Sequence, residues 1–197
     1  MSQPAIPTLI ELLQSKDEGV AEDAMMALPG TGTNAIPPLE ELLHDPNELI
    51  RVRAAIALAD FGSQGRAAIP VLLRCLDNFS FKNRSVYFLM QIHAIRALGK
   101  IKEAPDVVVP AIIHRMQNEN NWMIFNSCLT TLQKFGTNAA MAIPFLNGLL
   151  EPNSKKPVIL LFSARIITNT LDLIRIPIQP VKQRQSSSSV QTNSPSP

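Results

Sequence analysis

The sequence predicts an all-α chain, a solenoid of about five stacked helical hairpins followed by a disordered C-terminal tail. Three observations carry this. Apolar residues recur at steps of three and four, the period of a helix face. A short Ala/Val-Ile/Val-Pro signature returns five times along 197 residues. The hydrophobic share of 46% with an aromatic share of only 5% suits a core built from aliphatic helices.

The clearest copy runs from Ala35 to Gly62, AIPPLEELLHDPNELIRVRAAIALADFG. Pro37 and Pro38 fit the first turn of a helix, where the N–H groups lack intrahelical partners anyway. Ile36, Leu39, Leu42 and Leu43 then share one face, and Glu40 and Glu41 point away from it. His44-Asp45-Pro46-Asn47 interrupts the pattern, and Asp45 or Asn47 can cap the next helix by accepting an orphan N–H. The second helix carries Ile50, Ala54, Ala57, Leu58 and Phe61 on its apolar side. Ala54, Ala55 and Ala57 are small enough to let another helix approach closely. Gly62 is a stop of the C′ type, where positive φ costs glycine little.

The other elements follow in order. The signature opens at residues 5, 35, 68, 108 and 142, in steps of 30, 33, 40 and 34 residues. Repetition at this period means stacked supersecondary units, and five exceed the roughly three needed for a continuous core. In repeat one the second helix is predicted at Val20–Leu28, with Val20, Ala24, Ala27 and Leu28 inward. Repeat three carries an insertion, Asn78–Ser85, before a second helix at Met90–Ile101. Repeat four starts its first helix at Val108-Val109-Pro110 and its second at Trp122–Gly136. Repeat five opens at Ala142 and ends with Pro157–Ile176, apolar on nearly every side from Val158 to Ile167. Helices of that kind are normally buried, so a partner, a second copy or the tail is expected to cover this one. From Pro177 the composition turns to Ser, Pro and Asn without periodicity, too poor in apolar groups to offset ordering. The expected organisation is a solenoid over residues 1–176 and a disordered tail over 177–197.

The hairpin at Ala35–Gly62 resembles the HEAT repeat, in particular the short HEAT-like variant of phycobiliprotein lyases. The matching residues are Ala35-Ile36-Pro37, Asp45-Pro46, Ile50-Arg51, Ala54-Ala55, Ala57-Leu58 and Phe61-Gly62. The resemblance implies that Asp45 and Arg51 pair as part of a ladder along the stack. It also implies that second helices line a concave face. Ala21, Gln91 and Phe125 stand at the arginine place in repeats one, three and four. The His-Glu dipeptides that hold iron in one HEAT-repeat family, deoxyhypusine hydroxylase, are not matched, because this chain reads His44-Asp45, His93-Ala94 and His114-Arg115.

Composition narrows the function. The net charge of +2, from 18 basic and 16 acidic residues, lacks the clustered basic excess of a nucleic-acid footprint. The run Val158–Ile167 is too short for a membrane span and contains Arg165. The N-terminal residues do not form a secretory leader, so a reducing cytoplasm is expected, with Cys75 and Cys128 as free thiols. His44, His93 and His114 have no metal-ligand spacing, and neither cysteine has an indicated base. No catalytic residue, metal or cofactor is expected.

What remains is a binding surface. Placed by analogy on the concave face are Glu22, Asp23 and Met26, then Arg53, Ile56 and Asp60, then His93, Arg96 and Lys100. Asn126, Thr130 and Lys134 follow from repeat four and Arg165 from repeat five. This groove runs from acidic to basic. Arg53, Asp60, His93, Arg96, Asn126 and Trp122 are the partner-binding candidates. Trp122 reads either as an anchor for a partner or as a hydrophobic staple on its own helix. The expected function is a non-enzymatic protein-binding or scaffold module. The alternative, implied by the resemblance alone, is a phycobilin lyase or its chaperone-like subunit, which would need a bilin-sized pocket and usually a second subunit. Self-association through the last helix is a third expectation.

Overall fold

The computed structural model describes residues 5–77, 84–151 and 157–175, with side chains described at all of these except 77, 84–87 and 157–163. Within them the chain forms α1 (Ala5–Leu13), α2 (Glu18–Ala27), α3 (Ile36–Leu42), α4 (Glu48–Ala59) and α5 (Ile69–Asp77). It continues with α6 (Arg84–Ile101), α7 (Pro105–Gln117), α8 (Trp122–Phe135), α9 (Ile143–Leu150) and α10 (Pro157–Arg175). No strand occurs among the described residues. Consecutive odd and even helices pair as five hairpins. The even helices then stack in sequence, α2 on α4, α4 on α6, α6 on α8 and α8 on α10. Each unit therefore packs on its neighbours in the row, which makes the all-α fold a solenoid.

The Ala-Ile-Pro corners explain themselves by burial. Ala35, Ala68 and Ala142 each close a 3-10 turn and are fully buried, and the following Ile and Pro enter the first turn of α3, α5 and α9. Repeat four departs from the expectation. α7 begins at Pro105, so Pro110 lies inside the helix instead of opening it. Ala104, in the left-handed region at φ 50°, turns the chain into α7, and Pro105 already supplies the first-turn proline.

The inter-helix turns are capped by short polar side chains. Asp17 accepts from the N–H groups of Gly19 and Val20, Asn47 from Leu49 and Asn121 from Met123. Asp45 does not form the expected ladder with Arg51. Its carboxylate accepts from the N–H of Asn47, and Arg51 donates to the carbonyls of Asp45 and Pro46 while lying 3.5 Å from Glu48. The pair thus closes its own loop and does not link repeats. In repeat four the corresponding work falls to Glu119, which is buried, pairs with Arg115 and accepts from the N–H groups of Asn120 and Asn121.

Two second helices differ from the predicted phase or start. In α2 the buried residues are Ala21, Ala24 and Met25, followed by Leu28, while Val20 and Ala27 face outward. Ala24 and Leu28 are inward as expected, but Ala21 and Met25 take the places expected of Val20 and Ala27. α6 starts at Arg84, six residues earlier than expected, so Arg84 and Ser85 belong to the helix and not to an insertion. Residues 78–83 lie outside the described residues, as does the tail, and the side chains of Val158–Phe162 do too.

The stack is also joined by buried polar contacts between repeats. Thr131 on α8 donates to the carbonyl of Ile95 on α6 at 2.9 Å. Gln133 on α8 donates to the hydroxyl of Thr170 on α10. At Gly99 of α6, an added Cβ would stand 3.1 Å from both Thr131 Oγ1 and Lys134 Cδ, so glycine lets α6 and α8 close together.

Cys75 and Cys128 are both free and buried, and burial pushes each thiol up to about 12. Thiolate is the reactive form. At pH 8 both should react with a disulfide reagent roughly a hundredfold more slowly than a free thiol, and at full rate in denaturant. Thiol titration with and without urea checks this; prompt labelling of the folded chain would show the core is open.

Candidate functional site

The even helices present a groove whose floor is apolar and whose rims are charged. Its central cavity, about 220 Å³, is lined by Glu22, Met25 and Met26 of α2, Ile56 of α4, Asp60 just after it, and His93, Arg96, Ala97 and Lys100 of α6. Next to it on one side is a small cavity of about 40 Å³ between Glu18, Glu22, Arg53, Leu89, Met90 and His93. On the other side a more open one of about 270 Å³ is bounded by Asp60, Gly62, Gly99, Lys100, Lys102 and Lys134. The carboxylates of Glu18 and Glu22 belong to the α2 side, and the cations gather on α6 and α8. Asp60 and Lys100 form an ion pair between them.

Of the residues predicted from sequence, Asp60, His93 and Arg96 come together in the central cavity. Arg53 does not take the exposed place expected of it, and Ile56 is largely covered as well. Arg53 is only 5% exposed, and its guanidinium donates to the carbonyls of Leu13 at 3.1 Å and Ser15 at 2.9 Å. Those carbonyls lie at and just beyond the end of α1, where no intrahelical donor reaches. The physical reason is the central position of α4. It packs against α2, α3, α5 and α6, so every residue from Val52 to Ala59 is buried. Trp122, half exposed at the first position of α8, and Asn126, half-buried one turn on, do not line these three cavities. Sequence reasoning missed Glu18 and Lys102. Glu18 follows the cap Asp17 and looked like an ordinary first-turn acid. Lys102 lies just past the end of α6, where the expected residue is glycine.

Burial lowers the pKa of His93, Glu22 opposes this, and Arg96 and Lys100 add to it. Burial also lowers that of Lys134, and Lys100, Lys102 and Arg96 push the same way, against Asp60. For Arg53, burial pulls the pKa down and Glu18 pushes it up. Among the described residues, no three His, Cys, Asp or Glu side chains gather as a metal site. Nor is any helix among them long and apolar enough to cross a membrane.

Over part of its length the stack matches a known class of helical repeat. Residues 6–87 match the family of HEAT repeats, so the resemblance read from the Ala35–Gly62 hairpin holds across the first repeats. The chain is also 28% identical over 150 residues to the phycocyanobilin lyase subunit beta of Pseudanabaena tenuis, a match covering 71% of this chain and 50% of the relative. The chain thus spans about half the length of the curated relative it matches. Among solved structures, a crystal structure of an engineered protein from the Northeast Structural Genomics Consortium matches 86% of this chain and 78% of its own. The identity is 21% and the TM-score 0.48.

Two outcomes follow from this geometry. Arg53→Met should remove two charge-assisted hydrogen bonds from buried carbonyls and cost about 2–3 kcal/mol in urea unfolding; a loss under about 0.5 kcal/mol would mean the carbonyls find water. His93 has a folded pKa below its unfolded one, so the unfolded chain binds the extra proton between the two values. Stability should therefore rise with pH through that window and fall on acidification below about pH 6.5. The difference in urea midpoint between pH 7.5 and 5.5 should shrink in His93→Gln, and an unchanged difference would assign the slope to other groups.

Proposed function

We propose that the chain is a non-enzymatic protein-binding module that holds a segment of another protein along the groove of its even helices. The observation that carries this reading is the groove itself. Met25, Met26, Ile56 and Ala97 give it an apolar floor, with carboxylates at the α2 side and ammonium and guanidinium groups at the α6 and α8 side. A solenoid offers a long surface of this kind because each repeat adds a strip to it. The shape also favours a segment over a small molecule. The three cavities, about 220, 40 and 270 Å³, fall below the ~300 Å³ where small-ligand pockets begin. An extended chain lies across such a row without needing enclosure. The same reading takes residues 1–176 as one folding unit carrying the groove. It places the protein in the cytoplasm, where buried free thiols suit a reducing environment.

The second reading is a subunit of a phycobilin lyase. It is supported by the 28% identity to the phycocyanobilin lyase subunit beta. A subunit of this kind would complete its pocket with a second chain, and α10, the terminal helix of the described stack, is the place where another subunit would continue it.

The test uses a photo-crosslinking residue placed at Met26, which is exposed and lines the central cavity, with Met141 as the control site, followed by mass spectrometry of adducts from the native host. A single dominant adduct from the groove position is expected. Arg96→Glu and Lys100→Glu should each weaken capture about tenfold, equivalent to about 1.4 kcal/mol. Equal adducts from both sites, or capture unchanged by both charge reversals, would end the groove reading. Arg53 is not used as a probe, since reversing its charge would break its bonds to Leu13 and Ser15 and with them the fold. A shift in absorbance on adding bilin and acceptor protein would favour the lyase reading instead.

A further inference from the structure

We propose that Arg96, Lys100, Lys102 and Lys134, where repeats two, three and four meet, form an anion site that receives an acidic segment of the bound protein. This deepens the groove reading and rests on it, by giving the partner a chemistry.

The site is built from three elements. Arg96 and Lys100 are one turn apart on α6. Lys134 comes from the last turn of α8 and is held against α6 at Gly99, where an added Cβ would lie 3.1 Å from its Cδ. Lys102 comes from the turn between α6 and α7. Three of these residues, Lys100, Lys102 and Lys134, line one open cavity of about 270 Å³, whose remaining walls are Ala59, Asp60, Gly62 and Gly99. Gly62, beside which an added Cβ would meet nothing within 4 Å, leaves main chain bare at the wall, so a ligand can approach closely there. Asp60 engages Lys100. Among the described residues no carboxylate forms an ion pair with Arg96, Lys102 or Lys134. The electrostatics agree: of the charged groups acting on Lys134, three are cations and one is an anion.

Lys102 supplies an independent argument. It sits at φ 57°, in the left-handed region, and its N–H bonds back to the carbonyl of Leu98 at 3.1 Å. This is the C′ place that ends a helix, and glycine takes it at least cost. A β-carbon there is strained, and strain kept at an exposed position points to use of the side chain. Here the side chain places a fourth cation beside three others. Clustering like charges opposes folding, so both features cost stability that an anion would return. The occupant that matches is a carboxylate-bearing peptide. The groove is apolar at its floor and acidic at its far end, features that a uniformly charged polyanion would not share.

The experiment titrates the full chain with a fluorescein-labelled twelve-residue peptide rich in Glu and Leu, read by anisotropy at low salt. Its Gln-substituted twin, a twelve-nucleotide DNA strand and inorganic phosphate serve as comparisons. The acidic peptide should bind, the Gln twin roughly tenfold more weakly, and binding should weaken as salt rises. The variant Lys102→Gly should bind the peptide about threefold more weakly while raising Tm by about 2 °C, because relief of backbone strain and loss of a cation act in opposite directions. Lys134→Gln should weaken binding similarly. Peptide affinity unchanged in both variants would overturn the proposal. So would tighter binding of the DNA strand, which would assign the cluster to nucleic acid, or full competition by millimolar phosphate, which would assign it to a small anion. If the crosslinked partner is lost with Arg96→Glu but kept with Lys102→Gly and Lys134→Gln, the groove reading stands and the anion site falls. If capture is indifferent to these three changes and to Lys100→Glu, the groove reading itself has failed.

Discussion

α4 lies at the centre of the first three repeats, and its neighbours can close on it because Ala54, Ala55, Ala57 and Ala59 present almost no side chain. This close approach is the constraint on which the remaining structure depends. A hairpin such as α3–α4 has more apolar surface than its own two helices can cover, and burial is worth about 25 cal/mol for each Å² removed from water. The surplus is covered by α2 on one side and α6 on the other. The same solution recurs at Gly99, where α6 meets α8 without a β-carbon between them. Small residues at each junction therefore set the spacing of the row, and the row sets where the charged residues of neighbouring repeats meet.

Packing this close removes room for water, so polar groups caught in it must be satisfied within the protein. Arg53 shows the outcome. Its aliphatic stem crosses the junction between repeats one and two, and its guanidinium caps carbonyls at the end of α1. Thr131 does similar work between repeats three and four, as does Gln133 between four and five. These contacts fix the rotation of one hairpin on the next. The groove inherits that rotation. Asp60 from the end of α4 reaches Lys100 of α6 because the two helices are held in one register.

The groove is consequently a by-product of stacking that carries a pattern of charge. Each repeat contributes the exposed residues of one helix, and nothing in the packing requires those residues to share a sign. They nevertheless sort from Glu18 and Glu22 at one end to Arg96, Lys100 and Lys134 at the other, and the proposed function rests on that order. The first repeats match the family of HEAT repeats, and the chain is similar in part to a phycocyanobilin lyase subunit beta. Neither supplies the pattern of charge, which belongs to this chain's own residues.

Local features of the sequence determined the helices, the positions of most turns and the stacking of hairpins. Proline at a first turn, a capping Asn or Asp and an aliphatic stripe act within a few residues, so they can be read from the order of the letters. Ala35, Ala68 and Ala142 marked their corners for this reason. Contacts across repeats were decided only by the tertiary structure. Arg53 looked like a surface residue because its acceptors, Leu13 and Ser15, are 40 and 38 positions away. At Gly65, a Cβ would stand 2.0 Å from the carbonyl oxygen of Leu58, a contact that only the packing of the following turn on α4 reveals. The face that α2 turns inward, with Ala21 and Met25 in place of Val20 and Ala27, has the same origin. The phase of a helix is settled by what it packs against, and that partner lies outside the window in which sequence periodicity is read.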